Sequence, residues 1–202
     1  MPLENATVGA AKVRGPLVAS GARVLGVPCN TFHAKPIFEQ FELAMREFQD
    51  VRIVNMIDTT IMDIRRRYPS TVHIGVLSTT GTKRERVFSE PLSSHGLIAI
   101  ELDEPGVERV HAAIYDEDWG IKATGALGER GLTARRVVGD ALESLESLHA
   151  ELVILGCTEL PLAVEKANLP LFDPLDSLAT AMVDTFVECF RSGHVAESAS
   201  RL

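Results

Sequence analysis

Long hydrophobic runs are missing from this 202-residue chain: no apolar stretch approaches the ~18 residues that a bilayer-spanning helix requires. The opening Met1-Pro2-Leu3-Glu4-Asn5 also lacks the charged start and apolar centre of a secretory signal. A cytoplasmic protein with no membrane partner is therefore expected. Basic residues are scarce as well, 20 Lys and Arg against 28 Asp and Glu for a net charge of -8. A nucleic-acid binder that tracks phosphates needs a basic stripe, and the single basic run, Arg65-Arg66-Arg67, precedes Tyr68-Pro69 at the end of an apolar-periodic stretch, where cations suit a helix C-terminus. Nucleic acid is not an expected partner. Cysteine is sparse and odd in number, with Cys29, Cys157 and Cys189, which argues against a disulfide framework in a reducing compartment. Any cysteine that matters acts as a thiol. No low-complexity linker interrupts the chain, so two lobes, if formed, must pack closely.

What is present is ordinary globular material, 46% hydrophobic and 24% charged, long enough for one domain or two small lobes with a cleft. Apolar β-rich runs alternate with helical patterns from end to end, the signature of parallel strands covered by helices, so the fold class is α/β. Strands are expected at Arg23 to Pro28, Val51 to Ile57, Val72 to Ser78, Leu97 to Leu102, Leu152 to Leu155 and Leu169 to Phe172. Helices are expected at Ala6 to Ser20, Pro36 to Phe48, Thr59 to Tyr68, Lys83 to Glu90, Gly106 to Ile114 and Thr133 to His149, with a short one after Cys157 and a closing one at Leu178 to Phe190. The tail from Arg191 is expected to fray.

A repeat lies inside this pattern. Val24-Leu25-Gly26-Val27-Pro28-Cys29-Asn30-Thr31 parallels Leu152-Val153-Ile154-Leu155-Gly156-Cys157-Thr158-Glu159 by chemistry, each a buried strand delivering a cysteine to a polar turn. Residues 53–60 and 171–178 are likewise both apolar strands ending in an acidic turn before a helix. Two pseudo-equivalent lobes follow, each a parallel sheet flanked by helices, with the active site in the cleft between them. Residues 1–70 with 171–202 form the first and 71–170 the second, and the first has no counterpart upstream of Ala6 for the strand and turn at Gly75 to Thr82.

Ligands in open parallel sheets bind beyond the carboxyl ends of strands, where helix N-termini offer free N–H groups. Cys29 and Cys157 both fall there, an environment expected to lower a thiol pKa toward neutrality. A lone cysteine at a strand end is more often packing than chemistry, but two in equivalent positions of a repeat reverse those odds. Opposed thiols suit inversion at a carbon acid, one removing an α-proton as the other protonates the opposite face. The weak acidity of that hydrogen demands donors that stabilise the enolate. Cys189 lacks such surroundings and is expected in the core. His33 follows Cys29 by four residues, but neither cysteine has the paired spacing of a zinc site, so no metal is expected.

Pro28-Cys29-Asn30-Thr31-Phe32-His33 and Leu155-Gly156-Cys157-Thr158-Glu159-Leu160-Pro161-Leu162 resemble the two cysteine motifs of the cofactor-independent aspartate/glutamate racemase superfamily. Thr79-Thr80-Gly81-Thr82 resembles its T-x-G-T substrate loop, and Asp173-Pro174 a strand-end motif after the second cysteine. Glu159 stands where glutamate racemases carry His, as in the aspartate racemase branch. The resemblance implies racemisation of an acidic amino acid, with aspartate favoured, without pyridoxal phosphate or any other cofactor, by a homodimer. It makes Cys29 and Cys157 the acid/base pair and Asn30, Thr31, Thr80, Thr82 and Thr158 donors to the carboxylate and enolate. Glu159 would accept from the substrate ammonium or orient Cys157, and Thr79 donates to substrate or caps the following helix. Lys122, in Gly120-Ile121-Lys122-Ala123, resembles a lysine that pairs with the substrate's side-chain carboxylate. Relatives carry a first strand, a G-G-x-G-P loop and a substrate-holding arginine that have no match here. The alternatives are a catalytically impaired small-molecule-binding homologue and another isomerase or lyase of the superfamily.

Overall fold

The computed structural model describes residues 12–199, in which two parallel sheets are covered by helices. Helical residues 12–19 (α1) lead into β1 (Val24–Gly26); α2 (Lys35–Met45), β2 (Arg52–Val54) and α3 (Met56–Arg67) follow. β3 (His73–Ser78), α4 (Thr80–Arg84), α5 (Ser89–Ser94), β4 (Ile98–Glu101), α6 (Glu104–Tyr115), α7 (Ile121–Thr124) and α8 (Leu132–Ser147) come next. The chain closes with β5 (Leu152–Gly156), β6 (Leu171–Phe172) and α9 (Pro174–Ala199). β1 and β2 form a two-stranded sheet, and the larger sheet runs β4-β3-β5-β6, parallel throughout.

The central strands β3 and β5 are apolar almost throughout, as strands buried on both faces must be. Their period of two divides the core. Leu77, Val153 and Leu155 face the layer made by α6 and α8, whereas Ile74, Val76, Leu152 and Ile154 face Phe38 and Phe41 of α2, Ile61 and Ile64 of α3 and Leu92 of α5. Each such aliphatic side chain, once fully buried, contributes about 2 kcal/mol. The second of these cores ties the segment before residue 70 directly to the larger sheet. The small sheet is covered on its other side by α9, whose Leu178 packs on Val54 and Met56.

Several elements differ from the sequence expectation. The strand at 171–172, assigned above to the first lobe, is hydrogen-bonded to β5 and belongs to the larger sheet; α9 beyond it packs on the small one. The helix expected at Lys83 to Glu90 is split into α4 and α5, with Arg86 in the left-handed region at φ 53° between them. Helix α3 begins at Met56 rather than Thr59, because Asn55 Oδ1 accepts from the N–H groups of Ile57 (2.8 Å) and Asp58 (3.3 Å), a cap of the strongest kind. The closing helix runs on to Ala199. The part of the expected first helix before residue 12 and the last three residues lie outside the described range. Arg65, Arg66 and Arg67 occupy the last turn of α3, as the charge pattern implied. Among the described residues no helix is long and apolar enough to cross a membrane.

Candidate active site

The two cysteine turns sit at the carboxyl ends of parallel strands, one in each sheet. Cys29 follows β1 and caps a single 3-10 turn, Asn30–His33. Its carbonyl accepts from Phe32 N–H at 3.1 Å, and the residue is exposed. Asn30 beside it is buried at 4% exposure, and its Oδ1 has no hydrogen-bond partner. An acceptor left unmade in the interior costs roughly 1–3 kcal/mol, so this atom has an open requirement for a donor.

Behind this turn lies a buried imidazole. His33 Nδ1 is 3.0 Å from the Cys29 carbonyl, and the Met56 N–H donates to Nε2 at 3.3 Å. A nitrogen that accepts from an N–H carries no proton, so the ring is neutral with its hydrogen on Nδ1, donated to Cys29. Burial accordingly pulls the His33 pKa down to about 4, against the opposing influence of the Cys29 carbonyl. The ring stacks on Phe38 at 4.7 Å.

The turn after β3 meets the Cys29 turn from the larger sheet. Thr79 Oγ1 accepts from Thr82 N–H at 3.3 Å and so caps α4. The Thr82 hydroxyl lies 2.9 Å from that of Thr31 and 3.1 Å from that of Thr79. Three hydroxyls thus form one chain across the two segments. Thr80 points elsewhere, its Oγ1 3.2 Å from Nδ1 of His111 on α6.

Cys157 follows β5, and Gly156 before it is closely packed: a Cβ there would meet Ser78 Cβ at 3.0 Å and the Leu77 carbonyl at 3.1 Å, so its neighbours would have to give by a few tenths of an ångström. Cys157 is 8% exposed, and its thiol donates to Glu159 Oε2 at 2.9 Å. The Thr158 hydroxyl donates to the same oxygen at 3.0 Å, and Lys122 Nζ stands 3.0 Å from Glu159 Oε1. Burial first, and the hydrogen bond to Glu159 second, push the Cys157 thiol up to about 12. The expected depression toward neutrality is therefore corrected. A short 3-10 turn at a strand end offers less than about 1 kcal/mol to a thiolate, which desolvation and an adjacent carboxylate outweigh. Burial alone would raise the Glu159 carboxyl, but hydrogen bonds from Cys157, Lys122 and Thr158 hold it below its ordinary value. The hydrogen bond to Glu159 also raises Lys122.

Lys122 is delivered by Gly120, where a Cβ would lie 2.5 Å from the Asp116 carbonyl oxygen, too close for any other residue. Its ammonium also sits 4.7 Å from the ring centroid of Tyr115, a cation–π contact. Tyr115 stacks in turn on His111 at 4.7 Å. Burial raises the Tyr115 phenol above its ordinary pKa, and the charges of Cys157, Glu159 and Cys29 push the same way while Lys122 opposes them. Tyr115 therefore stands within electrostatic reach of both thiols.

Contacts thus join Thr158, Glu159, Lys122 and Cys157 into one cluster, Thr31 and Thr82 into another, and Thr80 to the first through His111 and Tyr115. Lys122, expected against a substrate carboxylate, holds Glu159 here. Tyr115, His111 and the bracing role of His33 were not anticipated; the i, i+4 spacing of His111 and Tyr115 on an otherwise amphipathic helix was the available signal. Cys189, expected in the core, is only half-buried on α9. Among the described residues no group of three or more His, Cys, Asp and Glu is arranged to hold a metal ion.

Residues 5–182 match the family described as Asp/Glu/Hydantoin racemase. The chain belongs to that family. A glutamate racemase of Corynebacterium kroppenstedtii is 31% identical over 163 residues, covering 78% of this chain and 49% of that protein, so the chain spans about half the length of this curated relative. Among solved structures, a putative Asp/Glu racemase from Yersinia pestis is 26% identical with a TM-score of 0.71, covering 91% of this chain and 74% of that one. An aspartate racemase homologue from Pyrococcus horikoshii OT3 is 25% identical with a TM-score of 0.67, covering 88% and 71%.

Proposed function

We propose that the protein racemises an acidic amino acid, aspartate foremost, by proton transfer between Cys29 and Cys157. The observation that carries this reading is the pair of thiols that follow parallel strands β1 and β5, each in a turn beyond a strand's carboxyl end. Cys157 is a buried, protonated thiol hydrogen-bonded to Glu159, and Cys29 is open to solvent. One direction of the cycle follows from that asymmetry. Cys29 as thiolate takes the α-hydrogen as a proton, its S–H bond forms, and the C–H electron pair moves into the carboxyl group to give an enediolate. The Cys157 S–H bond then breaks as its proton joins the opposite face of Cα. The resulting form, with Cys29 protonated and Cys157 a thiolate, is the one that accepts the other enantiomer.

Hydroxyls of Thr31, Thr82 and Thr158, with the Asn30 amide, supply donors for the carboxylate as charge develops; one such donor is worth roughly 10²-fold or more in rate. The unpaired buried Oδ1 of Asn30 suits an ammonium group. Lys122 favours a substrate with a second carboxylate, since it can exchange Glu159 for that group. The chemistry needs neither pyridoxal phosphate nor a metal.

The test is incubation of purified protein with L- or D-aspartate in deuterium oxide without added cofactor, alongside glutamate and alanine. Incorporation of deuterium at Cα together with appearance of the other enantiomer, fastest for aspartate, is the expected result. Exchange without inversion would point to one-base chemistry, and neither event with any of the three to a binding homologue.

A further inference from the structure

We propose that His33 is a positioning residue for Cys29, its Nδ1–H holding the Cys29 carbonyl while its Nε2 is anchored on the first N–H of α3. The proposal rests on the two-thiol reading for its consequence in catalysis, but its geometric content stands apart from it. Cys29 itself is exposed, its turn is a single 3-10 winding, and no side chain caps it; Thr31 ties the turn to Thr82 on one side. The His33 bonds to Cys29 and Met56, at 3.0 and 3.3 Å, hold the Cys29 backbone itself. They join three separate elements, since Met56 opens α3 and the imidazole lies flat against Phe38 of α2, 23° from parallel.

The arrangement is specific to a ring with an acceptor on one side and a donor on the other. A hydrophobe of the same size would strand the buried Met56 N–H, and a lysine would bring a charge where none is paired. On its far side His33 borders a cavity of about 320 Å³ shared with Asn55, Asp58 and His95; a smaller residue at 33 would open the back of the Cys29 turn to water. A misplacement of the sulfur by even 1 Å is enough to cost about 10²-fold in a reaction that depends on near-attack geometry.

Two variants separate the ring's two bonds. His33→Asn retains a donor near the Nδ1 position, facing Cys29, and His33→Gln retains an acceptor near the Nε2 position, facing Met56. The measurement is the rate of iodoacetamide alkylation at Cys29, Cys157 and Cys189, each followed by peptide mass spectrometry, in variants shown by circular dichroism to be folded. His33→Gln should alter the Cys29 rate at least threefold with the other two cysteines unchanged, and His33→Asn, which keeps the bond to Cys29 but loses the Met56 anchor, should alter the Cys29 rate by a smaller factor, again with the other two unchanged. Equal Cys29 rates in the parent and His33→Gln would overturn the proposal. So would a change shared by all three cysteines, which means general loosening. If His33→Gln does not fold, His33→Asn decides: a change in the Cys29 rate alone upholds the anchor and a parent-like rate refutes it.

In the active enzyme the consequence is directional. With aspartate deuterated at Cα, His33→Gln should raise the isotope effect for the enantiomer whose hydrogen Cys29 removes and leave the opposite direction unraised. A protein that racemises nothing yet shows the Cys29-specific alkylation change would refute the functional reading and leave the positioning role standing.

Discussion

The Cys29 and Cys157 turns both follow parallel strands and read alike in sequence, yet they are built in opposite ways. Cys29 is exposed, its backbone carbonyl gripped from behind by a neutral histidine. Cys157 is buried, its sulfur gripped from the front by a carboxylate that a lysine neutralises. One thiol is positioned through the main chain and left open to solvent; the other is positioned through its own proton and kept protonated. Strand-end placement fixes where a thiol stands, whereas the second residue beyond Cys157 and the fourth beyond Cys29 decide how it is held.

The largest test of this asymmetry is removal of the sulfurs. Cys29→Ala and Cys157→Ala should each lower racemisation of aspartate by roughly 10³-fold, within the range expected for loss of a general acid or base, whereas Cys189→Ala should change little. Parent-like racemisation by the Cys157→Ala protein would end the two-thiol assignment.

Next in size is the pH dependence that His33 builds into the fold. In the folded chain His33 takes a proton only near pH 4, against about 6.5 for a free imidazole. Between those values the unfolded chain binds more protons, so this contribution is fully present above about 6.5 and is lost as the pH falls toward 4. The loss amounts to about 3 kcal/mol. Urea unfolding of the parent and of His33→Asn at pH 7 and at pH 4.5 should show the parent losing the larger share of its stability. Parallel losses would mean the imidazole is not held neutral.

Glu159→Gln addresses the other turn. It removes a charge that opposes thiolate formation, so the Cys157 pKa should fall from its raised value and alkylation of Cys157 at pH 8 should accelerate roughly tenfold, the equivalent of one pKa unit. Burial, the larger cause of the elevation, is untouched, so the thiol should remain less acidic than a free cysteine. Thiolate absorbance during an alkaline titration reads both points.

Much of this was legible in the chain itself, because the signals that carry the fold are local. The period-two division of β3 and β5, the basic last turn of α3 and the paired cysteine segments all follow from side-chain order alone. What could not be read depended on contacts between distant segments. Residues 152–154 look the same whether a two-stranded or a four-stranded sheet receives the strand at 171–172; pairing with β5 is decided by tertiary packing. The thiolate expected at Cys157 failed for a related reason. A strand-end position implies exposure to helix N–H groups, but burial among Leu155, Leu160 and Ala163 and the turn of Glu159 back onto the sulfur are three-dimensional facts. Tyr115 sits 42 positions before Cys157 and 86 after Cys29 in the numbering, so no local motif announces that it lies near both.

The smallest effect concerns the hydroxyl chain that joins the turns' two sheets. Thr82 is 1% exposed, and its hydroxyl is shared between Thr31 and Thr79. Thr82→Val keeps the shape and removes both bonds, leaving the buried Thr79 hydroxyl to its capping role alone and Thr31 facing a methyl group. A loss of about 1 kcal/mol in urea unfolding is expected, with Thr82→Ser recovering most of it. The comparison sharpens in the thiols: because Thr31 belongs to the Cys29 turn, Thr82→Val should change alkylation at Cys29 and leave Cys157, which is held by Glu159 instead, at the parent rate. A shift at Cys157 of equal size would mean that the two turns are coupled through the threonines rather than held independently.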